Sequence, residues 1–124
     1  MGSKSYSSRR RIDTDFSKYL IDGSNNEIGE VFEGKNNLAD FVFDHRFIFV
    51  DCSECNHYKI YEWTKSGLKM FASTNYPIYE KKYLGDDYVE NVYNIAKTIS
   101  KGRKFSLSSF NCKDWVKEFK SLFY

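Results

Sequence analysis

Phe41, Phe43, His45, Phe47 and Phe49 alternate with Val42, Asp44, Arg46, Ile48 and Val50, and this run constrains the fold more than any other stretch. A period of two is the mark of a β-strand, and toward Val50 both faces turn apolar, as in a strand at the centre of a sheet. His57 to Trp63 alternates again after the polar, turn-like segment 51–56, so the two runs form a hairpin with a long connection. Ser66-Gly67 supplies the next turn and Leu68 to Ala72 a third strand, while Glu27 to Phe32 reads as a short strand and Gly34 to Asn37 as a loop. Asn75 to Leu84 holds the only proline, Pro77, and reads as irregular or edge structure.

The pattern then changes period. Val89, Val92, Tyr93, Ala96 and Ile99 follow helical spacing, with Asp86 or Asp87 as the cap and Lys101-Gly102 as the end. A second helix opens near Asn111 or Cys112, with Ser108 or Ser109 available as its cap, and buries Trp115, Val116, Phe119 and Leu122. Strands first and helices last imply an α+β fold, a small antiparallel sheet packed against helices.

A chain of 124 residues supports one core, and aromatic residues, 19% of the sequence, must supply most of its burial. Residues 1–11 are Ser-rich and basic, the composition of a disordered tail, so 12–124 is expected to form the single domain. An amphipathic segment, Asp15 to Ile21, and the turn signal from Asp22 to Asn26 open that domain. Gly2 with a basic cluster is similar to a myristoylation signal, but Tyr6 stands where that signal wants Ser or Thr, and a solvated tail is preferred. The tail lacks the apolar stretch of a secretory signal, and no apolar run approaches the roughly 20 residues that span a bilayer, so a cytoplasmic protein is expected. The basic tail leaves room for peripheral contact with a membrane surface. Four of the 19 basic residues lie in the tail, so 15 face 17 acidic residues in the remainder, which argues against nucleic acid as a partner of the folded domain.

Three cysteines in a reducing compartment read as thiols, ligands or nucleophiles before disulfides. Cys112 falls at the start of the last helix, where unpaired backbone N–H groups and the positive end of the helix dipole favour a thiolate. A thiolate nucleophile needs a base within hydrogen-bond reach, and there are two histidines to choose from. His45 sits mid-strand on a phenylalanine face, where packing holds an imidazole in place; for an isolated case, a core histidine bonded to a backbone carbonyl is the ordinary reading. The oxyanion of an acyl-transfer intermediate would use backbone N–H groups at Asn111 and Cys112.

The strand Asp44-His45-Arg46-Phe47-Ile48-Phe49-Val50 and the helix opening Phe110-Asn111-Cys112-Lys113-Asp114-Trp115-Val116 together resemble the permuted NlpC-type thiol enzymes, the group that includes the lecithin retinol acyltransferase-like family. The lead-in Phe105 to Ser109 is similar as well, so the resemblance spans roughly residues 41 to 122. It implies a circularly permuted papain-like domain with Cys112 as nucleophile and His45 as general base. In the acyltransferase relatives a second histidine follows the first by twelve residues, as His57 follows His45 here. By that resemblance His57 orients the imidazole. Glu62 on the second strand is the rival for this role, and since it points to the opposite face from His57, only one of the two faces His45.

Cys52-Ser53-Glu54-Cys55 with His57 gives a weaker alternative, a zinc site, which would still need a fourth ligand. A thioredoxin-like role would need the pair to open a helix, and it lies between strands. The expectation is therefore an enzyme without cofactor or metal: a Cys-His hydrolase or acyltransferase acting on an amide, ester or thioester of a small-molecule, peptide or lipid substrate. The competing class is a catalytically inactive, aromatic-rich binding or regulatory domain of the same fold, in which Cys112 is a buried thiol.

Overall fold

The computed structural model describes residues 11–12, 27–37, 44–51 and 57–124. Among the described residues six strands, β1 (Arg11–Ile12), β2 (Ile28–Asn36), β3 (His45–Asp51), β4 (Tyr58–Thr64), β5 (Gly67–Ser73) and β6 (Glu80–Tyr88), precede two helices, α1 (Val89–Ser100) and α2 (Cys112–Phe123). The sheet order is β1-β5-β4-β3-β2-β6, and its pairs are antiparallel. The fold is thus α+β, with the phenylalanine-rich run at the centre of the sheet. Arg11, placed in the tail by its composition, pairs with Ser73. Residues 1–10 and the segment Asp15 to Ile21 lie outside the described residues.

Alternation along β3 separates two packing layers. Ile48 and Val50 join Val31, Tyr61 and Trp63 beneath the apolar sides of α1 and α2, where Val92, Ile99, Trp115, Val116 and Phe119 close the core. Phe47 and Phe49 point the other way, to Phe32, Tyr58, Ile60, Phe71 and Tyr76. Gly34, read as the start of a loop, lies within β2 opposite Phe47, and a Cβ there would fall 2.7 Å from the Phe47 ring. Absence of a side chain is what lets that ring lie across the strand.

Of the stretch 75–84, read as irregular or edge structure, the part from Glu80 is an edge strand, paired with β2 from Ile28 to Lys35 with one irregularity between Val31 and Phe32. Exposed Lys81, Lys82 and Tyr83 hide its strand character from an alternation test, because an edge strand with a solvated face needs few apolar residues. Asp86 and Asp87 belong to this strand, and Tyr88 occupies the α1 cap position without a side-chain cap. Leu122, expected in the core, is exposed; Phe123 packs against the core instead.

Candidate active site

The loop before Cys112 is pinned at several points. Ser106 and Phe110 exchange backbone hydrogen bonds, Trp63 Nε1 donates to the Phe110 carbonyl at 3.1 Å, and the two rings meet edge to face at 5.5 Å. Trp115 Nε1 donates to Ser100 Oγ at 2.9 Å and ties α2 back to the end of α1.

Asn111, and not Ser108 or Ser109, caps α2. Its side-chain oxygen accepts from the N–H groups of Lys113 (2.9 Å) and Asp114 (3.2 Å), and Asp114 Oδ2 accepts from Asn111 N–H at 3.0 Å. This reciprocal box fixes the first turn and occupies three of its donors. The Asn111 N–H is therefore already engaged, while the Cys112 N–H has no acceptor among the described residues. A capping box and an oxyanion site compete for the same orphan donors, and nothing in a one-dimensional reading reveals which wins.

Cys112 is fully buried, and its sulfur reaches the beginning of β3. Sγ accepts from the Arg46 backbone N–H at 3.5 Å and lies 3.9 Å from the Asp44 carbonyl, the acceptor for the thiol proton. His45, 2% exposed, is held by Glu62: Nε2 and Oε1 are 2.8 Å apart. Its ring also stacks on Phe47 with centroids 5.7 Å apart.

The imidazole is pushed up to about 9, well above its ordinary value. Burial, the largest single influence, works against the charged form, but hydrogen bonds and charge from Cys112 and Glu62 together outweigh it. Cys112 and Glu62 therefore act on one ring. The structure gathers Cys112, His45 and Glu62 and selects Glu62, the rival, as the residue bonded to His45. His57, favoured for that role by its spacing, precedes β4 and is only partly buried. Cys52 and Cys55 lie outside the described residues.

Tyr76 is the participant that the sequence did not point to. Its hydroxyl donates to Glu62 Oε1 at 2.5 Å, the same oxygen that meets His45, and its ring meets Phe47 and Phe71 edge-on at 5.0 and 5.4 Å. Four residues before β6 begins, it is one tyrosine among many in an irregular stretch, and no period marks it. Asn36 Nδ2 donates to the Pro77 carbonyl at 2.9 Å and anchors the segment beside it. Compared with family models, with curated proteins and with solved structures, the chain matches none. Among the described residues no helix is long and apolar enough to cross a membrane.

Proposed function

We propose that the chain is a thiol hydrolase or acyltransferase of the permuted papain-like type, with Cys112 as nucleophile, His45 as base and Glu62 as the group that orients the imidazole. The observation that carries this reading is the buried His45–Glu62 pair at 2.8 Å, with Cys112 Sγ held at a capped helix start against the backbone of Asp44 and Arg46, on either side of His45. A nucleophile, a base and an orienting carboxylate in series are what acyl transfer through a covalent intermediate requires.

In this mechanism the Cys112 thiol turns its proton from the Asp44 carbonyl to His45, which takes it as the sulfur attacks the carbonyl carbon of an amide, ester or thioester. The S–C bond forms as the C=O π pair moves to oxygen, where the Cys112 N–H is the available backbone donor. Collapse expels the leaving group, which takes its proton from the His45 imidazolium, and a thioester remains on Cys112. Water or another acceptor then gives up a proton to His45, attacks the thioester and returns the thiol. Glu62 compensates the imidazolium charge throughout, and Tyr76 holds the carboxylate in place.

A second reading is favoured by one observation: Cys112 is fully buried, as a structural thiol in an inactive binding domain would be. Alkylation separates the two. With Cys52 and Cys55 replaced by Ser, Cys112 is expected to react with iodoacetamide at a pH-dependent rate that falls roughly a hundredfold in His45→Ala. A thiol that reacts only on unfolding, or is indifferent to His45, assigns the inactive domain.

A further inference from the structure

A groove of about 380 Å³ runs along α2 beside β2 and β3, lined by Arg46, Lys113, Lys117 and Lys120 together with Glu33 and Asp114. Spacings of four and three residues put the three lysines on one side of the helix. Four cations face two carboxylates, and both carboxylates are already committed inside the protein. Glu33 Oε2 accepts from Arg46 at 3.1 Å and Oε1 from Lys120 at 2.9 Å. Burial works to raise the Glu33 carboxyl, and the hydrogen bonds and charges of Lys120 and Arg46 hold it below its ordinary value regardless. Asp114 is the acidic member of the α2 capping box. Lys117 has no acidic partner among the described residues.

Two of the groove's residues, Arg46 and Lys113, adjoin the candidate nucleophile. Arg46, whose side chain lines the groove, donates its backbone N–H to Cys112 Sγ at 3.5 Å, and Lys113 follows Cys112 in the chain. Of the groove's cations, Lys113 stands in the first turn of α2, where its charge adds to the positive end of the helix dipole, while Lys117 lies mid-helix and Lys120 in the last turn. Neighbouring like charges are costly until an anion joins them.

We propose that this groove is the subsite for an oxyanion, a carboxylate or a phosphate, carried by the acyl donor. The inference rests on the thiol-enzyme reading and narrows its substrates to anionic amides, esters or thioesters.

Iodoacetate and iodoacetamide differ by a carboxylate against a neutral amide, and both alkylate thiols. With Cys52 and Cys55 replaced by Ser, the ratio of their rates at Cys112 measures how strongly the approach to sulfur favours an anion. The His45 imidazolium also attracts iodoacetate, so the deciding comparison is the double variant Lys113→Gln, Lys117→Gln. The ratio is expected to fall roughly tenfold in that variant, and to fall in the parent protein as salt shortens the Debye length below about 10 Å. Lys97→Gln, on α1, serves as the remote control and is expected to leave it unchanged. A ratio indifferent to Lys113 and Lys117 overturns the proposal.

A second measurement does not require a reactive thiol. In Cys112→Ser, titration with inorganic phosphate or acetate is followed by the amide resonances of Arg46, Lys113 and Lys117. Saturable shifts, weakened roughly fivefold or more by the double lysine substitution, support the site, and the tighter of the two anions names its chemistry. Shifts that never saturate, or that persist unchanged in the double variant, overturn it. Saturable binding beside an unreactive Cys112 would keep the oxyanion site and remove the enzyme reading instead.

Discussion

On the helix side of the sheet, Ile48, Val50, Tyr61 and Trp63 meet aliphatic and aromatic side chains, whereas on the other side Phe47, Phe49 and Ile60 share their layer with buried His45 and Glu62. The first layer is held by contact area, which adjusts to modest changes of shape. The second also depends on hydrogen bonds between charged groups, where loss of one partner leaves the other buried and unsatisfied. Cys112 belongs to the helix layer by its backbone, yet acts on an imidazole of the opposite layer. The meeting is at the beginning of β3, where Sγ contacts Asp44 and Arg46, because at the end of a strand a group from one side can reach the margin of the other.

The largest effect is expected from cutting into the helix layer. Phe119, fully buried against Trp115 with ring centroids 5.9 Å apart, should cost about 3–5 kcal/mol as Phe119→Ala, but less than about 1.5 kcal/mol as Phe119→Leu. Urea denaturation of both variants measures the difference. Equal costs would mean that this layer is as intolerant of reshaping as the polar one.

The polar layer should show itself next, through pH. The folded state raises His45 from about 6.5 to about 9, so it binds the proton more tightly than the unfolded chain does. That contribution is complete below pH 6.5 and is lost as pH rises toward 9; a shift of this size corresponds to roughly 3 kcal/mol. Urea midpoints at pH 6.5 and 9.5 should therefore fall in the parent protein and change less in His45→Gln. A parent profile as flat as the variant's would break the contrast between the layers.

Tyr76→Phe is the smallest and sharpest test, because it keeps the ring against Phe47 and Phe71 and removes only the hydroxyl on Glu62. The expected loss is about 1–2 kcal/mol. Measured with Glu62→Gln, the two losses should be non-additive, since both act on one carboxylate. Strict additivity would show that Tyr76 only packs.

Much of this was legible in one dimension. The alternation of Phe47, Ile48, Phe49 and Val50 required a strand buried on both sides, and Val92, Ala96, Ile99, Trp115, Val116 and Phe119 required two helices with apolar sides. That Cys112 opens a helix and His45 lies on a strand was accessible from residue type and placement. Less accessible was β6, whose exposed lysines carry no strand period and whose regularity comes from pairing with β2. Asn111 as cap was hidden beside two serines that were equally plausible by type.

The amino-acid order by itself determined the strands β3, β4 and β5 and the two helices, because side-chain period is a local property written residue by residue. It also determined that one imidazole would be held among phenylalanines and one cysteine placed at a helix start. Only the tertiary structure decided that Glu62 and not His57 reaches that imidazole, that Tyr76 joins them, and that Arg46 and the lysines of α2 line one groove. These partners are 14 to 74 residues apart in sequence, and register across a sheet and the seating of a helix upon it are set by packing of the whole core.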